Sequence, residues 1–327
     1  MKIQKTLTLC FSAILLTSAA VSAAPTQKDD YPNRPIRLLV GYSPSGAADL
    51  IARVFGEALS RNLKQTVIVE NRPGAGSTLA SRALARSDAD GYTLGLATAT
   101  LFGIDQYLYK VDYTPADFTP LMRLTVSPLI LAVNNDINVS TVPELMEKAK
   151  KNPGTLNFSS SGIGGSPHVA GSMFEKSVGV PMTHVPYKGG APALQAVAAG
   201  TVQFSFGTAS SVLPLVHSGK IRALGVSSSE VSAVAPDLKP LANLGLPGFD
   251  YTFWFGLFGP ADLPESVQTK LLDATHKTLN DPKVKASLLA SGNEVSPFAT
   301  QAEFKDWAEE YGEFVLERVK EAGIKVQ

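Results

Sequence analysis

The stretch Ile36–Glu70, IRLLVGYSPSGAADLIARVFGEALSRNLKQTVIVE, decides the fold class. It opens with a five- to six-residue apolar run, Ile36 to Gly41, of the kind a strand shows when both faces are covered. A loop of small residues, Tyr42-Ser43-Pro44-Ser45-Gly46, follows it. The chain then switches to helical period: Ala48, Ile51, Ala52, Phe55, Ala58, Leu59 and Leu63 fall on one face of a helix predicted over 47–63. Val67 to Glu70 returns to a short β-branched run. Strand, crossover helix and strand in this order make a right-handed parallel unit, and its strand C-termini lie on one edge, where ligands sit in open α/β sheets. A further helix (76–86) and strand (92–97) repeat the pattern, so the class is α/β.

Beyond residue 120 a second set begins. Leu121 to Val133 is a long apolar stretch broken by Ser127-Pro128, and the proline, lacking an N–H, predicts a bend there. Helices are predicted at 142–151, 167–178, 191–199 and 211–218, and strands at 156–159, 202–206 and 221–226. The Pro/Gly-rich run 236–248 leads to another apolar strand, 251–258, before C-terminal helices between 264 and 321. Two crossings, near 126 and 253, predict two lobes on a two-stranded hinge: lobe 1 from 24–126 plus 254–327, lobe 2 from 127–253.

Composition narrows the function. The 327 residues are 44% hydrophobic and 18% charged, enough apolar material for sizeable cores. Lys plus Arg and Asp plus Glu number 29 each, so there is no electrostatic drive toward nucleic acid. Four His and one Cys are too few and too scattered for a metal module or a disulfide framework. Residues 1–23 read as a secretory signal: Lys2 and Lys5 precede the apolar run Leu7 to Leu16, and Val21-Ser22-Ala23 is a small-residue cleavage site. Cleavage after Ala23 leaves 304 of the 327 residues, removes Cys10, and leaves 27 basic against 29 acidic groups. Such a chain suits an oxidising exported compartment.

Catalytic and cofactor motifs fail position by position. Gly74-Ala75-Gly76 and Gly162-Ile163-Gly164-Gly165 both lack the third glycine of a dinucleotide fingerprint, and no phosphate-binding G-x-x-x-x-G-K-[ST] occurs. Gly41-Tyr42-Ser43-Pro44-Ser45 is no nucleophile elbow, since Pro44 removes an N–H that an oxyanion hole uses. A Ser–His pair built from distant segments, with His168 or His184 as base, is the alternative that keeps an exported hydrolase in view. His217 and His276 read as surface residues. No catalytic residue, metal or cofactor is expected.

What remains is a matched pair of helix starts. Tyr42 to Gly46 precedes the helix at Ala47; Ser159 to Ser166 precedes the helix at Pro167, with Ser166 as its expected N-cap. The first N–H groups of a helix have no internal partner and its dipole favours negative charge, so each loop is suited to a carboxylate. Asp49, in the first turn, complements the dipole, and Arg72 beside Glu70 reads as locally paired. Tyr42, Phe102, Tyr187 and Phe255 are candidate aromatic walls.

Several long motifs then carry a family resemblance. Tyr31 to Arg37, Asp49 to Arg53, Val69 to Gly76 (VENRPGAG), Asp90 to Leu94 (DGYTL), His184 to Gly189 (HVPYKG), Gly219 to Leu224 (GKIRAL) and Trp254 to Pro260 (WFGLFGP) resemble the periplasmic receptors of the tripartite tricarboxylate transporter family, the Bug type. The resemblance runs from about residue 31 to the C-terminus. It implies a two-lobed type II periplasmic binding protein, a monomeric clamshell, that captures a small organic carboxylate and delivers it to a membrane permease. A ligand sensor feeding a membrane kinase would look the same in sequence. The ligand-binding set it implies is Tyr42, Ser43, Ser45, Gly46 and Ala47 in the first loop, Thr98 and Phe102 after the third strand, Ser160, Ser161, Gly162, Ser166 and His168 in the second loop, and Thr208. Two departures from the family pattern bear on the ligand. Tyr42-Ser43-Pro44-Ser45-Gly46 stands where Phe-x-Pro-Gly-Gly is usual, which adds hydroxyls. Gly207-Thr208 stand where an acidic or amide residue is common, which points away from amino acids and toward an uncharged or aromatic tail such as an aromatic dicarboxylate.

Overall fold

The computed structural model describes residues 31–325 apart from Lys188; the signal segment expected at 1–23 lies outside the described residues. The first half of the α/β pattern comprises β1 (Ile36–Val40), α1 (Ala47–Leu63), β2 (Val67–Asn71), α2 (Thr78–Ala85), β3 (Thr93–Ala97) and the short α3 (Ile104–Leu108). A single long strand, β4 (Phe118–Asn134), leads into α4 (Val142–Lys151), β5 (Asn157–Ser160), α5 (Ser166–Val178), β6 (Thr183–Pro186), α6 (Gly190–Ala198), β7 (Phe204–Thr208), α7 (Ala209–His217) and β8 (Ile221–Val226). The chain returns through β9 (Thr252–Pro260) to α8 (Glu265–Asn280), α9 (Pro282–Ala290), β10 (Glu294–Val295) and α10 (Gln301–Glu321).

The strands form one curled mixed sheet in the order β2-β1-β3-β9-β4-β7-β5-β6, with β10 and β8 also paired to β4. β1 runs parallel to β2 and β3, and β5 parallel to β6 and β7. Both parallel sets therefore end their strands in loops that start helices. In β1 only Arg37 is exposed, and α1 turns Ile51, Ala52, Phe55, Ala58 and Leu59 onto it. Full burial of each large side chain contributes roughly 1.5–3 kcal/mol, more than the intrinsic helix preference of any residue in α1.

The expected bend at Ser127-Pro128 does not interrupt β4. Its first part pairs with β9 as far as Pro128 opposite Thr252, and from Leu129 onward it pairs with β7 and β8. Proline is tolerated because it stands where the partners change. The Leu129 N–H is accepted by Ser227 Oγ (2.9 Å), Ser227 Oγ donates to Tyr251 O (2.5 Å), and Ser127 Oγ donates to Gly292 O (2.7 Å). Buried serines thus supply bonds that the ladder lacks at this point. The return strand crosses beside it, where Tyr251 N donates to Ser227 O (2.8 Å).

Candidate functional site

The first loop is shaped by close approach. A Cβ on Gly41 would stand 2.4 Å from Ser77 Cβ, so only glycine lets the end of β1 pass the start of α2. Ser45 adopts a left-handed backbone (φ 66°), and its N–H donates to Asp49 Oδ2 (2.9 Å). Asp49 is buried and also accepts from Asn71 Nδ2 (3.0 Å) and from Arg53 Nε (3.0 Å) and Nη2 (2.9 Å). The Arg53 bond holds its carboxyl below the ordinary value of 3.8. Asp49 is accordingly the brace of the loop, and one amide that the sequence offered to a ligand, that of Ser45, is already engaged. The first helical bond of α1 is Leu50 N–H to Gly46 O, so the amides of Ala47, Ala48 and Asp49 precede it. Ser43, Ser45 and Gly46 are exposed and Ala47 half-buried. Arg72 is bonded to Glu70 (2.6 Å).

The second loop is built round Ser160. Its hydroxyl accepts from Gly162 N–H (3.1 Å), donates to Gly162 O (2.9 Å), and lies 2.7 Å from His184 Nε2. Gly162 (φ 139°) and Gly164 (φ 75°) take conformations that favour glycine. Gly164 N–H donates to His168 Nδ1 (3.1 Å), which leaves the His168 proton on Nε2. His168 stacks on His184 with centroids 3.5 Å apart, and Phe158 lies beside both rings. Burial, then the neighbouring His184, pushes His168 down to about 3; burial pushes His184 down to about 4. The pair is neutral at pH 7. Ser160 and His184 do form the close contact that a hydrolase would need, but Ser160 is fully buried and its hydroxyl is spent on Gly162, so the contact ties the loop to β6.

Helix α5 begins one residue earlier than expected. Gly165 is its N-cap and Ser166 its first residue, with Pro167 next, so Ser166 does not cap the helix. The reason is that the extended backbone at Gly165 lets its own carbonyl take the His168 and Val169 N–H groups (2.8 and 3.1 Å). Ser166 is thereby released, and its side chain lies near the Tyr251 hydroxyl.

Tyr251 is the residue that brings the loops together, and sequence reading saw in it only the start of an apolar strand. It feels the phenol of Tyr42, whose hydroxyl lies near those of Thr98 and Ser77 and whose ring meets Phe255 edge-on at 5.9 Å. Gly164 of the second loop packs so closely on Leu108 of α3 that a Cβ would stand 2.4 Å from it. Tyr42, Thr98 and Ser166 are therefore neighbours, joined by Ser77 and Tyr251. Thr208 ends β7, beside β5, and its hydroxyl meets Ser210 and Ser211 (3.2 and 3.1 Å). Ser161 and Gly162 are half-buried in the second loop. Phe102 is elsewhere: its ring packs on Trp254 and Phe258 (6.4 and 6.1 Å) and its Cβ against Gly312, because Gly103 turns the chain toward α10. Phe255 is also buried, reaching the cluster only through Tyr42. Tyr187 packs against the core beneath α6 and α7. Surface cavities of about 520 Å³ beside Phe102 and Thr114, and about 530 Å³ between α5 and α10, are separate from these loops.

Among the described residues no three His, Cys, Asp or Glu side chains converge as a metal site, and no helix is long and apolar enough to cross a membrane. Residues 51–322 match the family model described as the tripartite tricarboxylate transporter family receptor. The chain belongs to that receptor family. Protein BugT of Bordetella pertussis is 31% identical over 290 residues, covering 87% of this chain and 88% of BugT. Among solved structures, the fold is similar to R. palustris Rpa4515 with adipate, at 28% identity and a TM-score of 0.82 over 91% of this chain and 100% of that one. It is also similar to MatC (Rpa3494) from Rhodopseudomonas palustris with bound malate, at 28% identity and a TM-score of 0.73 over 89% and 98% of the two chains. The architecture is that of a two-lobed type II periplasmic binding protein.

Proposed function

We propose that this chain is an exported periplasmic receptor that closes two lobes on a small organic carboxylate and hands it to the permease of a tripartite tricarboxylate-type transporter. The observation that carries the reading is the meeting of two helix-start loops at one cluster of hydroxyls, Ser77, Thr98 and Tyr42 from one side and Ser166 with Tyr251 from the other. The two similar structures with adipate and malate support the ligand class. The lobes are residues 24–126 plus 254–327 and residues 127–253, the signal ends at Ala23, and one copy of the chain suffices for binding. It works by capture and release rather than by catalysis.

In this reading the amides of Ala47 to Asp49 and of Ser166 point donors at the ligand, with the hydroxyls of Ser43, Ser45, Ser161, Thr98 and Thr208 completing the shell. A charge-assisted hydrogen bond contributes roughly 1.5–3 kcal/mol, and micromolar binding needs about 8 kcal/mol net, so four or five such bonds suffice. Tyr42, half-buried at the first loop, is the aromatic surface left to the ligand once Phe102 and Phe255 are assigned to the core, and it favours an aromatic dicarboxylate. Calorimetry with terephthalate, adipate, malate, citrate and glutamate tests the reading. Binding of at least one non-amino di- or triacid is expected; binding of none of them, or of glutamate most tightly, overturns the proposed ligand class.

A further inference from the structure

The second loop runs from Ser160, at the end of β5, to His168 in the first turn of α5, and one side chain touches both of its ends: His184 of the neighbouring strand β6. The register brings it there. Phe158 stands opposite His184 and Ser160 opposite Pro186, and residues two apart in a strand share a face, so His184 lies beside Phe158 and reaches Ser160 along the diagonal. Its Nε2 is 2.7 Å from Ser160 Oγ, and its ring stacks on that of His168 at 3.5 Å with 12° between the planes. Phe158 backs both rings, at 5.0 Å from His184 and 6.2 Å from His168. Helix α5 settles on Phe158 because Gly171 leaves the room, since a Cβ there would stand 2.3 Å from the phenyl ring. Among the described residues β6 is the last strand on this side of the sheet, so no further strand holds the corner.

A proton count fixes the direction of each bond. The Ser160 hydroxyl has one proton and two lone pairs. It gives the proton to Gly162 O (2.9 Å) and accepts from Gly162 N–H (3.1 Å), so its second lone pair is left for His184, whose Nε2 carries the proton. Gly164 N–H donates to His168 Nδ1 (3.1 Å), which puts the His168 proton on Nε2 as well. The two residues that pin the glycines of the loop are thus both held by one imidazole.

Resting on the carboxylate-receptor reading above, we propose that His184 is a positioning residue for the ligand: by donating to Ser160 and backing the His168 ring, it presets the second loop in the shape that receives a carboxylate. It acts through Ser160 and His168, since its one ring proton is spent on Ser160. Face-to-face stacking at 3.5 Å requires both rings to be neutral, and two imidazolium ions at that separation would repel. Burial, which lowers His184 to about 4, keeps the ring uncharged at pH 7. A loop held in shape before the ligand arrives loses less freedom on binding, which is how a residue that does not touch the ligand raises its affinity.

The test is calorimetry at pH 7 with terephthalate, adipate, malate and citrate on the wild type, His184→Phe, His184→Gln, Ser160→Ala and the double variant of His184→Phe with Ser160→Ala. Phenylalanine keeps the stack and loses the donor; glutamine keeps an N–H for Ser160 and loses the ring. His184→Phe is expected to bind the best acid about tenfold more weakly, and His184→Gln to return to within about threefold of the wild type. Adding Ser160→Ala to His184→Phe should cost no more than about a further twofold, because the two act through one bond. Nitrogen-15 spectra of the ligand-free protein give a readout that lost packing alone would not move. His168 should be the Nε2–H tautomer in the wild type and in His184→Gln, and a mixture of tautomers in His184→Phe. Binding by His184→Phe within twofold of the wild type, a glutamine variant as weak as the phenylalanine one, losses that multiply to about a hundredfold in the double variant, or a wild-type His168 proton on Nδ1 overturns the inference and leaves the receptor reading standing. Should His184→Phe fail to fold, Ser160→Ala decides in its place: binding about tenfold weaker upholds the brace, and unchanged binding removes it. A wild type that binds none of the four acids counts against the receptor reading and takes this inference with it.

Discussion

Asp49 and Asp105 are both buried acids of the first half of the chain, and they have opposite effects on stability. Asp49 is held below its ordinary pKa by Arg53, so its contribution is complete above about pH 4 and is lost as pH falls through the folded value. Asp105 is raised, so the folded state keeps its proton while the unfolded state gives it up. Stability is then full below the unfolded value of 3.8 and declines as pH rises toward about 7, by on the order of 4 kcal/mol in all. Thermal melts of Asp105→Asn and wild type, without ligand, should coincide near pH 4 and separate by pH 8, with the variant the more stable. Equal melting temperatures at both ends would show that the carboxyl is not desolvated as its burial implies. At the second loop, Ser166→Ala should weaken carboxylate binding by about 1–2 kcal/mol, roughly 5- to 30-fold. Because Gly165 rather than Ser166 caps α5, its melting temperature should stay within a degree or two, and a large drop would mean that the residue is structural after all.

At the scale of elements, helix and strand positions were largely legible because hydrophobic period survives in a single sequence. α1 covers 47–63 as its period predicts, and so does α4 over 142–151. β7 is displaced by two residues from the predicted 202–206, since Val202 is buried in the preceding turn and apolarity alone does not separate turn from strand. α3 was missed: five residues are too few to show a helical period. With it went Asp105, whose isolation is visible only when Tyr113, eight residues on, folds back to meet it. The two loops were legible as sites because their composition is unusual, but Tyr251 was not, since nothing local distinguishes it from the apolar strand it precedes. Gly41 is the sharpest element-level constraint. Gly41→Ala would drive a methyl into Ser77, and the strain should cost about 1–3 kcal/mol and loosen the first loop. Urea denaturation would show a lower midpoint; an unchanged one would mean that α2 can move aside freely.

For the whole molecule, the proposed closing receptor would absorb relative motion of its lobes at the crossing at Pro128–Leu129, where β4 changes partners, and at the return at Tyr251. Closure on ligand predicts a smaller radius of gyration in solution scattering and a melting temperature that rises with ligand concentration. Stabilisation with no change in scattering would leave the site in place and remove the closing motion. The halves, and the two strands between them, could be read from sequence because the α/β pattern starts afresh after residue 120. The continuity of β4 could not, because a proline read locally means a break, and its tolerance here depends on partners from residues 205–208, 227 and 252.

The chain has two tryptophans, and both lie in one aromatic stack behind that crossing. Trp254 of β9 stands opposite Val126 of β4, and its ring meets Trp307 of α10 at 5.4 Å, with Phe102, Phe258 and Phe304 around it. Arg123 lies over the Trp307 ring at 4.5 Å, close enough to quench and shift its emission when the two strands twist. The protein thus carries both of its tryptophans beside this crossing and neither in its two loops. A change in emission on adding a transparent aliphatic diacid would report rotation about the strands, free of any direct optical contribution from the ligand, and stopped-flow detection would give the rate of that rotation without a label.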